Sequence, residues 1–104
     1  ECRAVGQQRG VVFEFDDRVY AEPARMNDKI IEMLSKAAAD CDLAPQTLPS
    51  GAGHDAAVFA NAGIPSGMVF VRNANGSHNP HEDMDVDDLI KGTDVLYKAV
   101  TSSN

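Results

Sequence analysis

All three histidines of the chain, His54, His78 and His81, fall between positions 54 and 81, and each follows a stretch that reads as a strand. Imidazole binds metals, hydrogen-bonds in either direction and exchanges protons near neutral pH, so chemistry is expected here. His54 closes the run Ser50-Gly51-Ala52-Gly53-His54-Asp55. Its two glycines let backbone N–H groups approach an anion or a carbonyl oxygen, and a helix start just beyond adds positive potential. Asp55 reads as the cap of that helix rather than as a catalytic acid. His54 sits between a glycine turn and a cap, a poor place for core packing and a good one for meeting a ligand.

The second loop is Asn75-Gly76-Ser77-His78-Asn79-Pro80-His81-Glu82-Asp83. Pro80 stands between His78 and His81, so the two do not share a helical face and do not form the paired ligands of a helical zinc motif. Two readings stay open from spacing alone. In one, a single histidine binds a metal while neighbouring carboxylates fix its tautomer. In the other, this is a solvated polar loop. Glu82, Asp83, Asp85, Asp87 and Asp88 read as helix-start decoration, because the glycine and ligand spacing of a calcium loop is absent.

These loops need elements to hold them. Residues 1–9 are mildly helical and end at Gly10. Val11, Phe13 and Phe15 alternate with Val12, Glu14 and Asp16, which predicts a strand, extended by Val19 and Tyr20 after a turn. Ala21-Glu22-Pro23-Ala24 breaks the pattern and marks the best boundary. Asn27 caps a helix with Asp28 in its first turn, and Ile30, Leu34 and Ala38 form a core-facing stripe with Ile31 and Ala37 beside it. That helix ends between Asp40 and Pro45. Gln46 to Leu48 reads as a short strand, Ala56 to Ala62 as a helix stopped by Gly63, and Gly67 to Val71 as an inner strand apolar on both faces. Asp85 caps a last helix carrying Val86, Leu89, Ile90, Leu96, Tyr97 and Val100. Strand and helix alternate, which predicts an α/β layered fold.

With 104 residues, 43% of them apolar, the chain fits one domain with a thin but real core. A net charge of -7 argues against nucleic acid and anionic membrane as partners. No apolar run is long enough for a spanning helix, and the first residues do not form a signal peptide. Cys2 and Cys41 read as free thiols of a reducing compartment, so a cytoplasmic location is expected. Glu1 stands where an initiator Met would, so the chain reads as a processed or excised piece.

Leu48-Pro49-Ser50-Gly51-Ala52-Gly53-His54-Asp55-Ala56, followed by Phe70-Val71-Arg72-Asn73-Ala74-Asn75-Gly76-Ser77-His78-Asn79-Pro80-His81-Glu82, resembles the C-terminal part of the N-carbamoyl-L-amino-acid hydrolases. These group with allantoate amidohydrolase and β-alanine synthase among two-metal, aminoacylase-like amidohydrolases. The resemblance runs from about Gly10 to the last helix. It implies part of a three-layer αβα catalytic domain of the zinc-dependent exopeptidase kind, preceded by the last strand of an α+β lid that also makes a homodimer. Residues 1–22 would then be the end of the lid and residues 23–104 the returning catalytic domain.

By the same resemblance, His78 is a ligand of a pair of divalent ions (Zn, or Mn, Co or Ni), and Gly53 and His54 contact the substrate. Glu82 follows the ligand by four positions as a supporting acid, while His81 matches no family role. The other ligands and the general-base glutamate belong to the family's N-terminal half, so no catalytic base is expected in these residues, and the isolated chain is expected to be inactive. The implied substrate is a small N-carbamoyl amino acid or related ureido compound. The alternative is a non-catalytic α/β binding or assembly module that keeps a metal-binding loop. A weaker third reading is a mononuclear metal enzyme using His54, His78 and an acid.

Overall fold

The computed structural model describes residues 1–102, in which four helices follow one another: α1 (Cys2–Arg9), α2 (Asp28–Ala39), α3 (Asp55–Asn61) and α4 (Val86–Thr101). Each starts or stops where local chemistry dictates. Gly10 ends α1 with a left-handed φ of 67°, a conformation that costs glycine nothing. The Asn27 side chain accepts from the N–H groups of Lys29 and Ile30, two donors the first turn of α2 would otherwise leave unpaired. Asp85 does the same for α4 by accepting from the Asp87 N–H at 2.9 Å.

The core lies where α2 meets α4. Ala37 and Ala38 of α2 pack with Val95 and Ala99 of α4, and Met33, Leu34, Cys41, Leu43 and Val69 close around them. Small residues at the contact let the two helices approach closely. Residues 67–71 lie over this pair, and two glycines make the fit possible. A Cβ on Gly67 would stand 2.5 Å from Ile30 Cγ2 of α2, and one on Gly92 of α4 would stand 2.8 Å from Val71 Cγ2. The apolar stretch is therefore seated on both helices along one side.

Strand pairing departs from the sequence expectation. Among the described residues no strand forms, and the one β-type pairing is the bridge between Ala74 and Asp83. The stretch 67–71 makes no backbone hydrogen bond there, because a strand is defined by a neighbour and none lies beside it. Residues 11–15 fold back on α1 instead. The Val11 N–H donates to the Gly6 carbonyl, and the Phe13 ring lies 3.3 Å from where a Gly6 Cβ would stand. The period-two reading still places side chains correctly, since Phe13 and Phe15 share a side with ring centroids 6.3 Å apart. Residues 46–48 likewise stay irregular.

The expected thin core forms, but it is sparse for a chain of this length. Accessible surface is 9124 Å², against about 5,700 Å² for a compact monomer of this size. The radius of gyration is 19.4 Å, against roughly 13 Å for a compact chain of this length. Among the described residues four apolar side chains are buried, while Val12, Phe15, Val19, Tyr20, Val58 and Phe70 are among the large ones left exposed. Among the described residues no helix is long and apolar enough to cross a membrane.

Candidate active site

The two histidine loops open on the same broad concavity, which His54, Phe70, Arg72 and His78 all help to line. The first loop presents His54 as the residue that caps α3, with extended backbone (φ -137°, ψ 148°) and no side-chain bond to the helix. Asp55, expected to be the cap, lies one position later in the first turn, where the helix dipole favours its charge. Making no bond to the helix, the His54 ring turns back along the loop. Its Nε2 lies 2.7 Å from Ser50 Oγ, and its edge meets Phe70 with ring centroids 5.8 Å apart and planes at 61°. His54 is half-buried. Gly51 and Gly53 have no described atom within 4 Å of where a Cβ would stand, and neither has a positive φ. Neither packing nor backbone conformation within this chain requires a glycine there.

The second loop is stapled by its own side chains. Asn73 Nδ2 donates to the Gly76 carbonyl, Ser77 Oγ and Glu82 Oε1 at 3.1–3.3 Å. Asn75 Nδ2 donates to the His81 carbonyl at 2.8 Å, and Asn79 Nδ2 to the Asn75 carbonyl at 2.9 Å. The bridge between Ala74 and Asp83 closes the base. Within this frame Asn75, Gly76 and His78 all take positive φ, and His78 reaches 61°. Asparagine and glycine tolerate that region, but a histidine there is uncommon and costs on the order of 1–3 kcal/mol. The loop holds it in place. Glu82 Oε2 accepts from the His78 N–H at 2.9 Å.

Glu82 therefore grips the backbone of His78 rather than its ring. The His78 N–H and the Asn73 amide hold the Glu82 carboxyl below its ordinary range, against a smaller opposing effect of burial. His81 is fixed through its main chain, its N–H donating to Asn79 Oδ1 and its carbonyl accepting from Asn75. The His78 side chain is exposed.

Arg72 anchors this loop to α4, a role spacing did not reveal because its partner lies sixteen positions on. Its Nε and Nη2 reach Asp88 Oδ2 at 2.8 and 2.7 Å, and Lys91 Nζ approaches the other oxygen at 3.4 Å. Burial raises the Asp88 carboxyl, but hydrogen bonds and charge from Arg72, with Lys91 adding, outweigh it and hold the group below the usual aspartate range. A carboxyl lowered by folding stabilises the fold above its unfolded pKa, and that contribution fades as pH falls through the folded value. The Arg72–Asp88 contact should thus survive acidification through about pH 3.9, the ordinary aspartate value. An NMR titration of the Arg72 side-chain NH should show this, and loss of the contact at or above that pH would contradict it.

Among the described residues no three His, Cys, Asp or Glu side chains come together in a way that would hold a metal ion. A two-ion centre does not fit these described residues by themselves. His78 offers a single donor, and no chemical step can be built on metal from these residues alone.

The pattern described as Peptidase family M20/M25/M40 matches residues 5–102. The chain belongs to this family. It is 34% identical over 101 residues to the N-carbamoyl-L-amino-acid amidohydrolase of Pseudomonas sp. (strain NS671), covering 96% of the chain and 24% of that protein. It is 33% identical over 97 residues to the allantoate amidohydrolase of Escherichia coli (strain K12), covering 92% of the chain and 23% of that enzyme. An N-carbamoyl-L-amino-acid amidohydrolase of Paenarthrobacter aurescens is 34% identical over 97 residues, 92% of the chain and 23% of the relative. This M20 chain spans about a quarter of the length of the curated relatives it matches. No solved structure matches it.

Proposed function

We propose that this M20 chain is the C-terminal part of the catalytic domain of a metal-dependent amidohydrolase. The full-length protein cleaves a C–N bond of N-carbamoyl-L-amino acids or of related ureido or amide substrates such as allantoate. The observation that carries this reading is the pair of histidine loops opening on one concavity, in a chain whose relatives are amidohydrolases. His54 and the backbone N–H groups around Gly53 hold the substrate or its developing oxyanion. His78 contributes one donor to a pair of divalent ions (zinc, or manganese, cobalt or nickel) whose remaining ligands, like the general base, come from outside this chain. Glu82 keeps His78 presented by gripping its main chain.

In this reading residues 1–22 end a lid domain that makes the homodimer, and residues 23–104 return to an αβα catalytic domain. Seating of residues 67–71 along one side of α2 and α4 supports such layering. The partner is a small cytoplasmic metabolite, with no nucleic acid or membrane involved. Ammonia release by the full-length protein from N-carbamoyl-L-amino acids and allantoate, with and without a chelator, tests the proposal. Chelator-sensitive turnover is expected, and a metal-loaded protein that hydrolyses none of these compounds would refute it.

Gly53→Ala separates binding from folding. The space and φ at this position accept a methyl group, so thermal stability should change by no more than about 1 kcal/mol in either direction. The Michaelis constant should rise severalfold, because the methyl blocks close approach of the substrate to the backbone. An unchanged Michaelis constant would remove Gly53 from the binding surface.

A further inference from the structure

We infer that Ser50 is a positioning residue that fixes the tautomer of His54, an inference resting on the reading that His54 meets the substrate. Ser50 and His54 are four positions apart, at the two ends of the glycine turn, and their Oγ and Nε2 atoms lie 2.7 Å apart. The same Oγ accepts from the Ala52 N–H at 3.2 Å. A hydroxyl has one proton to give and two lone pairs. Ala52 takes one lone pair, so the hydroxyl keeps its proton and one lone pair for the contact with Nε2. The separation of 2.7 Å lies at the short edge of the range for an N–H donating to oxygen, which favours the hydroxyl as the donor. Nε2 thus becomes an acceptor and the ring proton resides on Nδ1.

Two further features make the assignment consequential. His54 caps α3 without a side-chain bond to the helix, and among the described residues its ring has no other hydrogen-bond partner. The Nδ1–H is the donor left over for an incoming oxygen. The Phe70 edge contact holds the ring plane while Ser50 sets which nitrogen donates. Without Ser50, the imidazole is free to take either tautomer, and a ring with its proton on Nε2 offers an acceptor where the substrate needs a donor.

The test uses the full-length protein labelled with nitrogen-15 at histidine, with the His54 signals assigned by their absence in His54→Gln. Wild type should show Nδ1 protonated and Nε2 unprotonated. Ser50→Ala should move both shifts toward a tautomer mixture, and Ser50→Thr, which keeps the hydroxyl, should restore them. On N-carbamoyl amino acids, Ser50→Ala should raise KM roughly threefold to tenfold with kcat little changed, the size expected for one neutral hydrogen bond. Added to His54→Gln, it should have no further effect. A protonated Nε2 in wild type, or Ser50→Ala and His54→Gln effects that simply add, would overturn the inference. The spectra need no substrate, so a protein inactive on every ureido compound refutes the proposed function while the tautomer result still decides this one.

Discussion

His78→Ala in the full-length protein is expected to abolish ammonia release and to lower bound metal from two ions per subunit toward one. The loss should exceed about a hundredfold, since even partners that merely orient a metal ligand are worth 10- to 100-fold. His78 is held at φ 61° by a loop that Asn73, Asn75, Asn79 and Glu82 all clasp. A strained residue that its surroundings over-determine marks a place where the side chain's position matters. His78→Asn supplies the control, because asparagine tolerates the left-handed region and keeps the loop while removing the imidazole. Full turnover with two ions bound in His78→Ala would reject the assignment.

The isolated 104 residues are expected to be inactive on carbamoyl amino acids with added zinc or manganese, and to self-associate. Accessible surface exceeds that of a compact monomer by more than half, and the buried apolar cluster is Ala37, Ala38, Val95 and Ala99. Residues 67–71 have their backbone groups unpaired among the described residues, and Phe70 within the stretch is exposed. Open N–H and C=O groups next to apolar surface invite a second chain to pair along that stretch. Sedimentation should give species larger than a monomer, with association weakened by Phe70→Lys, which places a charge on the exposed side of this stretch. A clean monomer with metal-dependent turnover would overturn both expectations.

The helices were legible because their signals are local. Asn27, Asp85 and Gly10 announce ends within a turn of the residues they serve, and the Ile30, Leu34 and Ala38 stripe finds its face without knowing its partner. Strands were not legible in the same way. Alternation at Val11, Phe13 and Phe15 states which side chains share a side, but pairing needs a neighbour, and among the described residues none pairs with them. The one-residue displacement of the α3 cap from Asp55 to His54 has a similar origin, since both flank the same turn and only the fold decides which one enters the helix.

Of the site, residue types were readable and their connections less so. Asn75-Gly76 carries a recognisable signal for positive φ. The grip of Glu82 on the His78 main chain and the tie from Arg72 to Asp88 depend on loop closure, which spacing does not encode. The acidic run also divides in a way composition hides: Asp85 caps, Asp87 sits in the first turn, Asp88 pairs with Arg72 and Glu82 staples the loop.

The most direct test of the account is anomalous diffraction from crystals of the full-length protein, loaded with zinc and a substrate analogue. A ring nitrogen of His78 should lie about 2.0–2.1 Å from one of two ions, the ordinary zinc–imidazole distance. His54 should lie within hydrogen-bonding reach of the analogue. An imidazole of His78 lying clear of every metal ion, or an analogue bound away from the concavity the two loops share, would contradict it.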